Sequence, residues 1–222
     1  LNEVNRQLSA HGLKVEHAAV AVVDATVIES AGRPRRLIEG IAVDRAEEAV
    51  EGAAGGVVTE CLSADPDGRW LKKGRNLHFG YKGFWRSDGE GYVERVLVRP
   101  ANEGEAPHLP HLLKGCTAVR VLADKAYSSK TNRAVLGQQG FKSGIMYRAR
   151  RNHPLSARQK RFNRLVAKQR WVIEQSFGTL KRLFHGGRAR YMTREKVEAE
   201  QTFKAVAMNL LKAANRINLV AA

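Results

Sequence analysis

A chain of 222 residues with 43% hydrophobic and 27% charged positions is long enough to bury one sizeable core, and its composition excludes collagen, a coiled coil and wholesale disorder. The formal net charge is +16, from 38 Lys and Arg against 22 Asp and Glu, and an excess of that size calls for a polyanionic partner. No run of 18 apolar residues occurs, the first residues lack a basic-then-apolar pattern, and Cys61 and Cys116 have no partners at metal-ligand spacing, so the expectation is a cytoplasmic protein without membrane span, disulfide framework or zinc site.

Residues 1–17 place Val4, Leu8, His11 and Leu13 on one side of a short helix and read as the remnant of an N-terminal helical region. A start at Leu1 rather than Met suggests a fragment, a split reading frame or an unusual start codon. Ala18 to Val23 is an apolar run that stops at Asp24, as a fully buried strand would. From residue 33 to 75 the pattern loses its period, apart from a short helix near Arg45 to Glu51 and the glycines Gly52, Gly55 and Gly56, and this stretch is expected to be an irregular insertion. Asn76 to Trp85 and Tyr92 to Val98 then predict an antiparallel hairpin around Ser87 to Gly91. After a loop punctuated by Pro100 and Pro107, Leu109 to Leu113 predicts a helical turn. Val119 to Ala123 is a second apolar strand ending in an acid, Asp124.

Ser128 or Ser129 can cap a helix running to about Gln139, with Gly140 as its stop, and Ile145 to Tyr147 predicts a brief strand. Ser156 can cap a long helix from Ala157 to about Phe184, with Phe162, Val166, Ile173, Phe177 and Leu180 at helical spacing. A last helix covers Glu195 to about Ile217. The order of elements predicts an α/β domain with a mixed sheet flanked by helices over residues 18–222.

The basic excess is local. Residues 142–196 hold 16 Lys and Arg against two acids, Glu174 and Glu195, while the segments before and after are each near neutral. Charge so dense is expected to meet the phosphates of nucleic acid.

Two apolar strands that each end in Asp place Asp24 and Asp124 toward one crevice at the carboxyl ends of a sheet, although each alone can be a turn or cap residue. Between Asp124 and Glu195 the only carboxylate is Glu174, in the middle of the basic helix. It either pairs with Arg170, four residues earlier, or completes a set of three acids. Arg170, Glu174, Gly178 and Lys181 share one helical stripe. Three carboxylates within about 4 Å repel by roughly 4 kcal/mol per pair at an effective dielectric near 20. Divalent metal removes that penalty. Oxygen ligands suit Mg2+ or Mn2+, and two such ions favour cutting or joining a phosphodiester.

The stretches AVAVVDATVIES around Asp24, DPDGRWLKKGRNLHFGYKGF from Asp65, VRPANE from Val98, VLADKAYSSKTNRAVL around Asp124 and RWVIEQSFGTLKR around Glu174 resemble the DDE transposases of bacterial insertion sequences, in particular the insertion sequence 5 family. The resemblance covers residues 18–215. It implies a ribonuclease-H-like catalytic fold in which Asp24, Asp124 and Glu174 are the catalytic, metal-binding triad for Mg2+ or Mn2+. The family's Arg and Lys around the third acid are matched by Arg170 and Lys181, and its aromatic after the second Asp by Tyr127. The Tyr often found seven residues before the Glu is Ala167 here, and the family's helical region before the first strand is matched only by residues 1–17.

The implied function is cleavage at transposon ends and strand transfer into target DNA. The working form is expected to be a homodimer or higher oligomer on double-stranded DNA at the bacterial nucleoid. A DNA-binding remnant without catalysis and a nuclease of the same fold stay open as alternatives. Arg170, Lys181, Arg182, Arg164, Lys168, Lys72 and Lys73 are the expected DNA contacts. Asp65 and Asp67 read as turn residues, His108 and His111 as residues without a metal, and Trp70, Trp85 and Trp171 as packing residues that could otherwise stack on bases.

Overall fold

A computed structural model describes residues 1–32 and 64–220. Among these residues six strands form one sheet: Val20–Glu29 (β1), Arg69–Lys73 (β2), Asn76–Asp88 (β3), Val93–Pro100 (β4), Arg120–Ala123 (β5) and Lys142–Ile145 (β6). Asn2–Ala10 (α1), Leu109–Leu113 (α2), Lys130–Gln138 (α3), Ala157–Leu183 (α4) and Arg194–Val220 (α5) are the helices. β3 runs antiparallel to both β4 and β1, and β5 and β6 extend β1 in parallel, while β2 pairs with the other half of β3. This is the mixed sheet flanked by helices that the element order predicts.

The apolar runs are strands because both faces of the sheet are covered. Successive residues point to opposite faces. Val23, Phe84, Val121 and Ala123 thus enter one core with α2 and α3, around Leu109, Leu112, Tyr127 and Leu136. Val22, Trp85 and Leu122 enter the other, with Val166, Ile173, Phe177 and Leu180 of α4 and Ala205 and Met208 of α5. Each buried side chain of the Val, Leu or Phe class contributes about 1.5 to 3 kcal/mol relative to exposure.

Several boundaries differ from expectation. β1 does not stop at Asp24 but continues to Glu29, because antiparallel β3 keeps pairing as far as Glu29 and Gly80 after parallel β5 has ended at Ala123. The expected insertion 33–75 loses its last part to β2, which pairs with β3 through the turn at Gly74, φ +62°, with Trp70 tilted against Phe79 at 5.4 Å. The brief strand lies at Lys142–Ile145 rather than 145–147. Its Gly144 is needed because a Cβ there would stand 2.3 Å from Leu122 Cδ2 on β5. The expected helix near Arg45 to Glu51, the glycines Gly52, Gly55 and Gly56, and Cys61 lie outside the described residues.

Local signals fix the helices. Ser129 caps α3 by accepting from the Asn132 N–H. Ser156 and Gln159 form a reciprocal capping box at the start of α4. Asp65 and Asp67, read from sequence as turn residues, also serve the first turn of α5. Asp65 Oδ1 accepts from the Thr193 N–H at 3.2 Å and Asp67 Oδ2 from the Arg194 N–H at 2.8 Å. Buried Asp65 is further held by the Tyr81 and Ser30 hydroxyls.

β4 is an edge strand whose free side is closed by side chains. The Val93 N–H donates to Asn209 Oδ1 at 2.9 Å, the Asn209 amide returns a bond to the Val93 carbonyl at 2.8 Å, and the Val98 N–H donates to Glu198 Oε2 at 2.9 Å. Asn5 of α1 joins this network through Asn209 and the same carbonyl, and Leu8, Tyr92 and Ala213 pack beside it. Residues 1–17 are therefore packed into the same body as the sheet.

Replacing Asn209 by Leu is expected to destabilise the protein by about 2 kcal/mol, since it leaves the buried Val93 N–H without its partner and removes the amide that Asn5 Oδ1 accepts from. Urea denaturation measures this, and an unchanged midpoint would contradict the edge-closing role.

Candidate active site

Side-chain alternation brings the two aspartates together. Val23 on β1 and Ala123 on β5 are register partners, and both point into the α2 and α3 core. The next residue on each strand, Asp24 and Asp124, therefore faces α4. There the chain supplies Arg170, which is buried at 6% exposure in the middle of α4. Its guanidinium meets Asp24 Oδ2 at 2.7 Å and Asp124 Oδ1 at 3.7 Å, and its Nη1 also lies 3.7 Å from Met146 Sδ.

Each aspartate is also tied to its own backbone. Asp24 Oδ1 accepts from the Ala25 N–H at 2.9 Å, and Asp124 Oδ1 accepts from the Lys125 N–H at 2.6 Å, capping the short helical turn Lys125–Tyr127. Burial pushes the Asp24 carboxyl above its ordinary range. Arg170 and the Ala25 N–H pull it down, and the charges of Asp124 and Glu174 push it up again.

Glu174 stands one turn after Arg170 on the exposed side of α4, close enough for its field to reach Asp24. The expected alternative, an Arg170–Glu174 pair, does not form among the described residues. The buried Arg170 takes the two aspartates instead, while Glu174 one turn on is exposed. Arg170 was also an expected phosphate contact, and in this structure its charge is already engaged. The other expected contacts, Arg164, Lys168, Lys181 and Arg182 on α4 and Lys72 and Lys73 on β2, are exposed and have no carboxylate partner among the described residues. Lys73 lies near enough to lower the carboxyl of Glu105.

Glu105 and Lys82 are neighbours of this centre that the sequence reading passed over. Glu105 is half-buried, and burial first, then Asp24 and Asp124, raise its carboxyl, while Lys82 opposes them from 4.0 Å. Lys82 donates to the Glu103 carbonyl at 2.8 Å and is itself lowered mainly by burial. The one available signal was the acid pair in Asn102-Glu103-Gly104-Glu105 at the end of a motif that carries the family resemblance.

Tyr127 is fully buried in the α2 and α3 core. Burial above all, and then the fields of Glu105 and Asp24, hold its hydroxyl well above the usual range. His108 pairs with Glu103 Oε2 at 2.9 Å and packs on Phe84, and burial lowers its pKa, while His111 is exposed. Trp85 is core, Trp70 rests on Phe79, and Trp171 is exposed beside Arg170 on the basic helix.

Among the described residues no three acidic, histidine or cysteine side chains stand together as a ready set of metal ligands. The donors themselves suit a hard divalent ion, since all are carboxylate oxygens that raise one another's affinity for positive charge. Here Arg170 supplies that charge between Asp24 and Asp124.

A family model described as the transposase DDE domain matches residues 17–210. The chain belongs to this family. It is 47% identical over 219 residues to the transposase for insertion sequence element IS1106 of Neisseria meningitidis serogroup B, across 98% of this chain and 73% of that protein. Among solved structures it is similar to the Mos1 mariner paired end complex with Mn, at 14% identity and a TM-score of 0.37, and to the Mos1 strand transfer complex, at 13% and 0.28. The matches cover 97% and 94% of this chain, which spans 58% and 59% of those two chains. For a member of the transposase DDE family, the mixed sheet with Asp24 and Asp124 on adjacent parallel strands is the ribonuclease-H-like arrangement that the resemblance implies.

Substituting Arg170 by Met is expected to cost about 3 kcal/mol at neutral pH, at the low end for a broken buried pair because Asp24 keeps some solvent contact. Losing the cation lifts the Asp24 carboxyl further. The native state then holds a proton that the unfolded chain releases, so the destabilisation shrinks in acid and grows as pH rises through the folded pKa. Urea midpoints at about pH 4 and about pH 7 test this, and a deficit of equal size at both would contradict the bridge.

Proposed function

We propose that this chain carries out metal-dependent cleavage of DNA at the ends of an insertion sequence, of the insertion sequence 5 group, and joins the freed 3′ hydroxyl to target DNA. The observation that carries this reading is the placement of Asp24 and Asp124 side by side on the face of α4 that bears Arg170, with Glu174 one turn further along.

In this reading Asp24, Asp124 and Glu174 would hold Mg2+ or Mn2+, which when bound would supply Lewis-acid charge to the reacting phosphodiester oxygens. Asp24 and Asp124 present fixed oxygens because backbone N–H groups orient both carboxylates. Arg170 keeps the two from repelling each other before DNA arrives. Lys181, Arg182, Arg164, Lys168, Lys72 and Lys73 offer exposed cations to phosphates along the DNA, and such contacts position without reading sequence. Residues 18–222 are the catalytic domain, with residues 1–17 as a helical lead-in. The partner is double-stranded DNA, at transposon ends and target, bound by a homodimer or higher oligomer in the cytoplasm at the nucleoid. Among the described residues no helix is long and apolar enough to cross a membrane.

The engagement of both aspartates by Arg170 favours one second reading, a DNA-binding protein of the same fold that does not cut. Incubation of the purified chain with a transposon-end duplex and Mg2+ or Mn2+ separates the two. Nicking is expected, with Asp24→Asn, Asp124→Asn and Glu174→Gln each abolishing it. Nicking that survives in the triple variant would remove these acids from the reaction, and cutting without strand-transfer products would indicate a nuclease.

A further inference from the structure

A cavity of about 750 Å³ opens between the start of α3 and the segment 147–156 that leads into α4. Arg133, Arg148, Arg150, Arg151, His153 and Tyr147 line it, and no carboxylate does. None can be contributed locally, because the 49 residues from Lys125 to Ile173 contain no Asp or Glu. Among the described residues Arg133, Arg148, Arg150 and Arg151 have no ion-pair partner, and the last three are exposed.

The floor of this cavity is rigid. Arg133 donates from Nη2 to the Ile145 carbonyl at 3.0 Å and to Ser128 Oγ at 3.3 Å, and from Nη1 to Ser143 Oγ at 3.3 Å, and its guanidinium lies 4.6 Å over the Tyr147 ring. Tyr147 is clamped in turn. Its N–H donates to Asn163 Oδ1 at 2.8 Å, its carbonyl accepts from Asn163 Nδ2 at 2.9 Å, and its ring meets Phe162 edge-on at 5.3 Å. The rim is a tight turn in which Arg150 and His153 exchange backbone hydrogen bonds of 3.2 and 3.0 Å, with Asn152 at φ +61°. The turn presents three arginines within four positions, and the first turn of α4 adds its positive helix end beside them.

The position is as informative as the charge. Ser128 in the lining lies four residues beyond Asp124. Met146, between Ile145 of β6 and Tyr147 of the lining, touches Arg170 through its sulfur. The cavity thus lies at the same carboxyl ends of β5 and β6 as Asp124.

We propose that this arginine cavity is a binding site for successive backbone phosphates of duplex DNA, on the strand that passes the acidic centre. The exposed guanidiniums of Arg148, Arg150 and Arg151 can each match phosphate oxygens in pairs. With one face of Tyr147 under Arg133 and its edge against Phe162, the cavity offers charge rather than an open stacking surface. This inference rests on the transposase reading for the identity of the polyanion.

The test compares salt dependence of binding, by fluorescence anisotropy of the full chain with a 20-base-pair duplex and no metal. One variant carries Arg148→Gln, Arg150→Gln and Arg151→Gln. The other removes as much charge at the opposite ends of the parallel strands and the preceding loop, as Lys114→Gln, Arg120→Gln and Lys142→Gln. Each lost phosphate contact lowers the slope of log affinity against log salt by about 0.9. The cavity variant is expected to lose about two to three units of slope and the control less than one. A cavity variant with the slope and affinity of the unmodified chain, or a control that loses as much, would overturn the proposal. Nicking with metal is read separately. If the unmodified chain nicks while the cavity variant keeps its slope, only the cavity assignment falls. If the slope drops as expected but nothing is cut, the cavity stands and the catalytic reading falls. No binding to the duplex at all defeats both.

Discussion

The architecture turns on one ionic arrangement, a buried guanidinium shared by two aspartates on neighbouring parallel strands. Strand alternation alone places Asp24 and Asp124 on the same face, and their proximity is costly in a setting where burial already raises the Asp24 carboxyl. Arg170 offsets that cost from a helix whose other buried residues are the apolar Val166, Ile173, Phe177 and Leu180 and Ser176, whose hydroxyl donates to the Val172 carbonyl of the same helix. The docking of α4 on the sheet and the electrostatics of the acids are therefore one problem with one solution. The apolar stripe sets the depth of the helix, and Arg170 sets its position along the strands.

Polar side chains acting over long sequence separations assemble the rest. Asp65 and Asp67 close the start of α5 from about 130 positions away, and Asn209, far along that helix, returns to the first residue of β4. Ser30, just after β1, and Asp65, just before β2, meet through a hydrogen bond, and β1 and β3 pair over nine residues.

Much of this was legible from the residues. The two apolar runs, the hairpin, the Ser156 cap and the period of α4 all announce themselves because each depends on local pattern or on burial on both faces. What was not legible depended on partners distant in the chain. The continuation of β1 past Asp24 is decided by β3, and an acid inside an apolar run reads as an end when its neighbour strand is unknown. The pairing of Arg170 was not legible for a similar reason. The spacing of four to Glu174 is visible in sequence, whereas two aspartates that lie 146 and 46 positions away in the chain are visible only after folding. Glu105 was hidden by its loop, since nothing in a Gly- and Pro-punctuated stretch indicates that a carboxylate there looks toward Asp24. Asp65 and Asp67 show the converse. Their turn signal was correct, and the helix they serve could not be inferred from it.

The closure of β4 by Asn209 and Glu198 also limits how copies of this chain can associate. An unpaired edge is a template for strand exchange between molecules. Here the Val93 and Val98 N–H groups are already taken by side chains of α5, and the opposite edge, β6, offers four residues. Continuing the sheet from one copy into the next through β4 would first have to peel α5 away from that edge. Any pairing of subunits is thereby directed away from β4, to surfaces where it can form and dissolve without opening the core beneath α5.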